Sequence, residues 1–412
     1  MGAGMKIAFS DNKLALDHAI ALAREGHRVD YFQEWRYRYM RLEDYLIGYD
    51  IHENLRIVRD VWQSIDEGVD MVFIADVGYG FMGDFIRRRL GIPVYGGCTY
   101  GDYLELSRLY AAEVMDDLGI KHPTYYEAIG VDELFDVCED LEWDCYVKVD
   151  MVRGNMETTH IRNENQLMVE LEKAGFGPLA DKVRFIVSEP VDGVEIGVDA
   201  WFNGREFIRP YHFGNEVKGS GCCFGKWVHE SVWDDVLDRF EPWLREHNYR
   251  GTISFEGIYD GSDIYVIDVT SRIARPAGSL QYYSVKGQYG EIVYKVASGE
   301  DVEFEPRATY TVQLAFNMDE PYTWYNIGSP PDNIAMTVYA IGVDGEIWLN
   351  TREETGCFVF YLAIGNDFER LVSEADMTAY KYAEDMGIVY SDQGIRKYWQ
   401  MLRQMREMGI DW

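Results

Sequence analysis

The residues best suited to chemistry lie in the stretch FEGIYDGSDIYVIDVTSRI, at positions 255–273. The turn signal D-G-S separates two apolar, β-branched runs, which predicts a β-hairpin. This hairpin carries Glu256 and Asp268 on adjacent strands, and if both point to one face they can share a divalent ion. Mg²⁺ suits such a pair, because it usually takes one or two carboxylates and completes its shell with water and phosphate oxygens.

Three polar residues alternate along the second strand of the hairpin. Asp268, Thr270 and Arg272 are two positions apart, so their side chains project to one side and form a row of acid, hydroxyl and guanidinium. The hairpin alone leaves a second interpretation equally open, namely an amphipathic strand whose polar face is solvated. Other parts of the chain have to decide between the two.

The composition limits the possible classes of protein. The chain has 412 residues, 47% of them hydrophobic and 27% charged, which is typical of a globular protein with two or three domains. The formal net charge of -32 argues against nucleic acid or an anionic membrane as the main partner, because both would be repelled. No apolar run approaches a membrane span of roughly 20 residues, and the N-terminus lacks a signal-peptide pattern, so we expect a cytoplasmic protein. The six cysteines form no C-x-x-C pair, and the eight histidines form no H-x-x-x-H pair, which disfavours a zinc hydrolase.

Residues 1–105 alternate short apolar strands with helices, from MKIAFS to IPVYGG, which predicts an α/β domain with a doubly wound parallel sheet. Within it, GYGFMG at 78–83 matches G-x-G-x-x-G. The glycines follow a later strand than a dinucleotide fingerprint requires, and no strand ending in an acid lies about 20 residues on. We therefore favour a loop of tight turns at the carboxyl edge of the sheet, and rank an NAD-dependent enzyme last.

The later segments are more mixed. The glycine-rich, basic stretch FGNEVKGSGCCFGKW at 213–227 predicts a mobile anion-facing loop, with an ordinary surface loop as the alternative. A helix is expected over 281–298, and the acidic, proline-containing segment at 300–306 is interpreted as a linker. The expected domains are 1–105, 106–300 and a strand-rich α+β domain at 301–412.

The order of these segments resembles the ATP-grasp ligases. The strand CYVKVD is similar to the family strand whose lysine reaches the α- and β-phosphates of ATP, here Lys148. VSEPVDGVEIGV is similar to the family's hinge, where backbone groups near Glu189 and Val191 would meet the adenine and Glu195 would hold the ribose. The helix ELSRLYAAEVMDDLGI has Arg108 where many members have another phosphate-contacting lysine. The nucleotide-covering subdomain would then span about 140–195.

The resemblance also favours the metal-binding interpretation of the hairpin. Its two acids and its V-T-S-R-I tail are similar to the family's metal-binding strands, which implies Glu256, Asp268 and Thr270 as ligands of Mg²⁺ or Mn²⁺. Arg272 would contact the γ-phosphate or the acyl phosphate, and Arg275 would join it or bind the carboxylate substrate. A further cation in the glycine-rich stretch, Lys218, would close over the phosphates, with a solvated loop lysine as the equally open alternative.

Within that superfamily, nearly the whole chain resembles the glycinamide ribonucleotide synthetase (phosphoribosylamine-glycine ligase) family, but it departs from that family at the acceptor. FSDNKLALDHA stands where the family has its sugar-phosphate motif, and the loop after Lys148 keeps only Gly154 of the family's glycines. Thr270 replaces an asparagine ligand, and Ala274-Arg275-Pro276-Ala277 replaces G-D-P-E. The scaffold is therefore family-like, whereas the acceptor site is expected to differ.

The resemblance implies an ATP- and Mg²⁺-dependent ligase that activates a carboxylate as an acyl phosphate, which an amine then attacks. Such catalysis depends on alignment and charge neutralisation more than on covalent participation of the protein. The implied substrates are an amino acid such as glycine and an amine, and purine biosynthesis is the implied setting. Two alternatives stay open: a ligase that uses a different amine, and a catalytically altered protein that binds nucleotide as a regulator.

Overall fold

The structure is a computed structural model that describes residues 4–33, 46–150, 158–275, 277–318, 320–321, 323–336, 339–351 and 356–412, with the backbone alone for 356–358. Gly154, the glycine expected in the loop after Lys148, lies outside these ranges. No helix in the described part of the chain is both long and apolar enough to cross a membrane.

The N-terminal region contains a five-stranded parallel sheet in the order β3-β2-β1-β4-β5. Its strands are β1 (Lys6–Asp11), β2 (Arg28–Gln33), β3 (Leu55–Ile57), β4 (Met71–Ile74) and β5 (Val94–Tyr95). Its helices are α1 (Leu16–Arg24), α2 (Val61–Asp66), α3 (Gly80–Phe85, continued by a π-helical turn at Ile86–Leu90) and α4 (Thr99–Leu106). Ile7 and Phe9 pack on the side of α1, whereas Ala8 and Val72 pack with Val61 of α2. The sheet is therefore covered on both faces, which confirms the predicted doubly wound arrangement.

A second helix and a small antiparallel sheet follow. Ser107 interrupts the helical backbone between α4 and α5 (Arg108–Leu118) and caps the new helix by accepting from the Tyr110 N–H at 3.3 Å. The sheet has the order β6-β9-β7-β8. Its elements are β6 (Tyr125–Ile129), α6 (Val131–Asp140), β7 (Cys145–Val149), β8 (Thr159–Ile161), α7 (Glu164–Ala174), a 3₁₀ turn (Gly177–Leu179) and β9 (Arg184–Ser188).

The largest sheet has nine strands in the antiparallel order β14-β13-β10-β11-β12-β15-β20-β17, with β21 paired to β15. Its first part comprises β10 (Val194–Phe202), β11 (Tyr211–Val217), β12 (Cys222–Val228), α8 (Asp234–Glu246), β13 (Gly251–Tyr259) and β14 (Ile264–Thr270). Helices α9 (Gly278–Ser284) and α10 (Tyr289–Ser298) follow. The predicted hairpin is confirmed as the pair β13 and β14.

The C-terminal strands extend that same sheet and add a three-stranded one, β16-β19-β18. The elements are β15 (Tyr310–Met318), β16 (Trp324–Gly328), β17 (Ile334–Met336), β18 (Ala340–Val343), β19 (Glu346–Asn350), β20 (Gly356–Gly365), α11 (Phe368–Met386), β21 (Val389–Tyr390) and α12 (Gln393–Glu407). The strand-rich C-terminal region is thus confirmed, while the domain boundaries near 105 and 300 stay predictions.

Two local predictions are wrong. Most of the stretch 213–227 is not a loop, because it forms β11 and β12 and leaves only a short turn around Lys218. The expected helix at 281–298 is two helices, α9 and α10, because Gly287 adopts φ +90° between them.

Candidate functional site

A cavity of about 520 Å³, here called the large cavity, lies between the small sheet and the hairpin. It is lined by six of the residues that the sequence predicts to contact the nucleotide, together with the two predicted carboxylate ligands, whereas Arg272, predicted to contact the γ-phosphate or the acyl phosphate, does not line it. These lining residues are Arg108, Lys148, Glu189, Val191, Glu195, Lys218, Glu256 and Asp268. Their predicted individual roles stay predictions, but the fold brings them to one place.

Lys148 on β7 is held by an irregularity of the hairpin. Glu256 pairs with Asp268 and Gly257 pairs with Val266, so Ile267 is an extra residue that forms a β-bulge. The Ile267 carbonyl accepts a hydrogen bond of 3.0 Å from Lys148 Nζ. Burial lowers the pKa of Lys148 to about 8, although Asp268 opposes the shift. The bulge therefore fixes a buried ammonium at the wall of the large cavity.

The two hairpin carboxylates lie directly opposite each other on β13 and β14. Each has a cation beside it: Asp268 forms a close ion pair with Arg108, and Glu256 Oε2 lies 2.7 Å from Lys218 Nζ. Burial raises the pKa of Glu256, and the charge of Asp268 adds to that effect. Burial alone would raise the pKa of Asp268, but Arg108 and Lys148 hold it below its usual range.

The residues present fit a hard divalent cation only in part. Among the described residues, no group of three or more His, Cys, Asp or Glu side chains is arranged to hold a metal ion. Mg²⁺ needs only one or two carboxylates when phosphate oxygens and water supply the rest, and Glu256 and Asp268 meet that requirement. The third predicted ligand, Thr270, pairs with Ser254 on β13 and lines a different cavity.

The hinge segment follows β9 and leads into β10. Tyr126 donates a hydrogen bond of 2.6 Å to Glu189 Oε1 and so ties β6 to the hinge. Glu195 Oε1 lies 3.3 Å from Lys218 Nζ, and Val191 lies between these two acids in the chain. Glu189 and Val191 both line the large cavity, and the contact of this segment with adenine stays a prediction.

A second cavity of about 70 Å³, here called the small cavity, adjoins the large one and shares Glu195 and Glu256 with it. Thr270, Arg272 and Arg275 line it. The remaining predicted site residues therefore lie next to the large cavity but face a separate space.

Carboxylates from the N-terminal region contact both arginines of the small cavity or lie near them. Arg272 Nε lies 2.9 Å from Glu105 Oε1 and 3.3 Å from Asp76 Oδ1. Arg275 donates to the Lys13 carbonyl at 3.3 Å, and burial lowers its pKa against the opposing charge of Asp17. Asp76 follows β4 and Glu105 lies in α4, so these contacts join segments that are far apart in the chain. A local sequence motif cannot reveal them.

The floor of the small cavity consists of residues that the sequence reasoning missed. Ser254 Oγ donates to Asp199 Oδ1 at 2.5 Å, and Asp199 Oδ2 lies 3.4 Å from His212 Nδ1. The other His212 nitrogen lies 2.7 Å from Thr311 Oγ1. Next to this row, burial raises the pKa of Glu216 to about 7. The even spacing of Glu195 and Asp199 in VEIGVD, and of His212 and Glu216 in HFGNEV, was the available signal, because a strand places every second side chain on one face.

The GYGFMG motif serves packing in the structure and touches neither cavity. A Cβ on Gly83 would lie 2.1 Å from the Gly97 carbonyl oxygen, so α3 packs on the backbone there. The Gly80 N–H donates to Asp102 Oδ2 at 2.7 Å. Burial raises the pKa of Asp102 to about 6. The anion at this turn is the protein's own carboxylate.

The fold is that of the ATP-grasp ligases, although no known family model matches the sequence. The chain is similar to the phosphoribosylamine-glycine ligase of Thermotoga maritima, with a TM-score of 0.68 and 17% identity, covering 94% of this chain and 98% of that one. It is similar to the biotin carboxylase of Campylobacter jejuni, with a TM-score of 0.65 and 11% identity, covering 94% and 92%. It is also similar to the L-amino acid ligase of Bacillus licheniformis, with a TM-score of 0.60 and 14% identity, covering 95% and 100%. At these identities the likeness shows the fold alone.

Proposed function

We propose that this ATP-grasp protein is an ATP- and Mg²⁺-dependent ligase that joins a carboxylate to an amine through an acyl phosphate. The observation that supports it most is the large cavity, where the fold gathers the phosphate, hinge and carboxylate residues into one space. The carboxylate donor is an amino acid such as glycine. The proposed setting is the cytoplasm, and it would be purine biosynthesis if the amine is phosphoribosylamine.

The chain's own residues would bind and orient the reactants. Lys148 and Arg108 would neutralise phosphate oxygens, and the hinge backbone near Glu189 would hold the adenine. Glu256 and Asp268 would hold the metal, for which Mn²⁺ could substitute. Mg²⁺ supplies charge neutralisation and alignment at the phosphates when bound.

The proposed reaction has two transfers. A carboxylate oxygen attacks the γ-phosphorus, the bond to the β-phosphate oxygen breaks, and ADP leaves. The amine nitrogen then attacks the acyl carbon, phosphate departs with the bonding electrons, and the amine proton is lost. Arg272, at the boundary towards the small cavity, would bind the acyl phosphate between these steps.

The test is ADP release with Mg-ATP against a matrix of amino acids and amines that includes glycine with freshly made phosphoribosylamine. Hydroxylamine added in place of the amine should trap an activated carboxylate as its hydroxamate, detected by mass spectrometry. Carboxylate-dependent hydroxamate that is lost in Asp268→Asn supports the proposal. ADP release that never depends on a carboxylate contradicts it.

One observation favours a second candidate, a nucleotide-binding regulator without turnover. Lys218 pairs with Glu256 and Arg108 pairs with Asp268, so both prospective metal ligands already have cationic partners. Tight ATP binding with no ADP release for any pair of substrates would support this candidate. Turnover that needs Mg²⁺ would exclude it.

A further inference from the structure

We infer that two copies of this chain associate through one surface of the N-terminal region. This surface, here called the aromatic patch, consists of Trp62, Phe81, Phe85 and Leu90. The copies would be related by a two-fold axis that places α2 of each copy on α3 of the other. None of the four residues lines the large or the small cavity, so the inference does not rest on the proposed function.

The patch lies on the outer sides of two neighbouring helices. Val61 of α2 and Ile86 of the π-helical turn belong to one cluster of buried residues, so α2 and α3 cover the same face of the parallel sheet. The outer side of such a helix is normally polar, because it faces water. Here the four side chains of the aromatic patch are between 37% and 79% exposed. This face of the sheet therefore presents apolar side chains to solvent in the single chain.

The patch is continuous across the two helices. The rings of Trp62 and Phe85 meet edge to face, with their centroids 6.1 Å apart. Phe81 lies one turn before Phe85 and therefore on the same side of α3. A contiguous, exposed aromatic surface is typical of a protein–protein interface. The π-helical turn at Ile86–Leu90 agrees with this interpretation, because such turns are rare and occur frequently at functional sites.

The π-helical turn also carries two cations that lack acidic partners. Arg87 pairs with Asp84 at 3.2 Å, whereas Arg88 and Arg89 are exposed and form no ion pair with the described residues. Arginine is enriched in interfaces, where its guanidinium group donates to carboxylates of the partner. A partner that presents carboxylates at this position would complete both guanidinium groups.

Helix α2 of the same chain presents the acids that such a partner needs. The helix ends at Asp66 and is followed by Glu67, and both acids are exposed. Glu67 already pairs with Arg56, whereas Asp66 forms no ion pair with the described residues. At the start of α2, Arg59 and Asp60 offset each other in charge. Because α2 and α3 each connect parallel strands, they run in the same direction, and their ends lie at one edge of the sheet.

These positions make the surface complementary to itself. A two-fold axis that runs between the helices and parallel to them would exchange α2 with α3. Asp66 would then lie opposite the partner's Arg88 and the partner's Arg89, and Trp62 would pack on the partner's Phe85. A two-fold interface repeats each contact, so the acid and the arginines of both copies are paired at once. The net charge of -32 opposes this association only weakly at physiological salt, because charges farther apart than about 8 Å are largely screened.

The experiment is sedimentation equilibrium on the full chain, with native mass spectrometry to count the copies. We expect a dimer with a Kd in the micromolar range. Arg88→Glu combined with Arg89→Glu should raise this Kd about 100-fold, because like charges would face each other at both symmetric contacts. Asp66→Arg should raise it in the same direction. An equimolar mixture of the two variants should restore a dimer with one copy of each, since every reversed charge then faces a charge of opposite sign.

A matched control separates the patch from net charge. Arg403→Glu combined with Arg406→Glu reverses two exposed arginines of α12 and changes the net charge by the same amount, so its Kd should equal that of the parent protein. Circular dichroism establishes that each variant folds. Leu90→Asp replaces a patch variant that does not, and it should raise the Kd about tenfold or more, because it would bury an unpaired charge in the interface.

The remaining outcomes each overturn the inference. A chain that sediments as a monomer at every concentration would show that a second copy does not cover the patch. A dimer that the patch variants leave unchanged would place the interface elsewhere, and equal loss in the control would mean that net charge governs association. Failure of the mixed variants to pair would exclude the two-fold arrangement. Because the measurement uses no nucleotide, failure of the hydroxamate test would count against the ligase proposal and not against this interface.

Discussion

The large and small cavities share two carboxylates, yet their charges are organised differently. In the large cavity cations and acids are interleaved: Arg108 pairs with Asp268, and Lys148 lies within electrostatic reach of the same acid. In the small cavity the arginines pair outwards to the N-terminal region, which leaves acids on the floor. The comparison shows that the number of charged residues in a cavity is a poor guide to the charge of its ligand. The better guide is the charge that remains once the ion pairs have been taken into account. The large cavity fits the polyanion and metal proposed for it, and the small cavity has acids on its floor.

The substitution with the largest expected effect is Asp268→Asn in the large cavity. It removes a carboxylate proposed to hold the metal, so we expect ADP release to fall roughly 100-fold or more, about 2.7 kcal/mol in the activation free energy. The matched control is Asp263→Asn in the turn of the same hairpin, where the carboxylate pairs with Lys121 at the surface. ADP assays that show equal losses for both variants would contradict the assignment.

Lys148→Met should weaken ATP binding about 10- to 100-fold, since it removes a buried charge-assisted contact. Calorimetry with Mg-ATP measures this change. Lys182→Met in the same subdomain alters an exposed side chain and serves as the control. Equal loss of ATP affinity in both variants would mean that net charge, and not this contact, governs binding.

Gly83→Ala should lower the free energy of unfolding by about 1–3 kcal/mol, because its Cβ would overlap the Gly97 carbonyl. Urea unfolding gives the value. The neighbouring Phe81→Ala changes a side chain that is 79% exposed and should shift stability by about 0.5 kcal/mol or less. If Gly83→Ala weakened ATP binding without loss of stability, the motif would have a role beyond packing.

The pH dependence of ATP affinity tests the proposed role of Lys148 in the large cavity. Lys148 is protonated below its pKa of about 8, so ATP affinity should fall as pH rises through that value, by at most tenfold per unit. The pKa of Lys148 is lower in the folded protein than in the unfolded chain, so the unfolded chain binds more protons between about pH 8 and pH 10.5. The contribution of Lys148 to the free energy of unfolding therefore rises with pH in that range. Binding titrations on Lys148→Arg, whose guanidinium stays charged, should lose the step near pH 8. A step that persists in that variant would belong to another group.

The smallest expected effect concerns Gly197, which lies between Glu195 and Asp199 on the floor strand β10. A Cβ there would meet the Gly214 carbonyl at 3.3 Å, a contact that slight movement relieves. Gly197→Ala should lower the free energy of unfolding by about 1 kcal/mol or less. It should leave ATP affinity unchanged, because Gly197 lines the small cavity and not the large one. Urea unfolding and calorimetry test the two statements. A loss of ATP affinity would mean that the two cavities do not act separately.

The sequence predicted the fold, and most of the residues that it assigned to the nucleotide line the large cavity, because the signals for both are local. Alternating strands and helices indicate the parallel sheet, and Lys148, Glu195 and Asp268 occur in recognisable segments in a familiar order. The small cavity has no such signal. Asp199 and His212 meet only because β10 and β11 pair in one register, and the glycines around His212 suggested a loop. The partners of Arg272 come from a region more than 160 residues away, which only packing can bring close.

The floor of both cavities belongs to one antiparallel sheet, but the polar residues of the two cavities occupy separate cross-strand rows. Glu256 and Asp268 form one pair, while Ser254, Asp199 and His212 form the neighbouring row on the same face. Side chains in one row can change without altering the backbone ladder that carries the other. Under the proposed function, mutation and selection could therefore change the acceptor while the residues proposed to bind the nucleotide stay as they are.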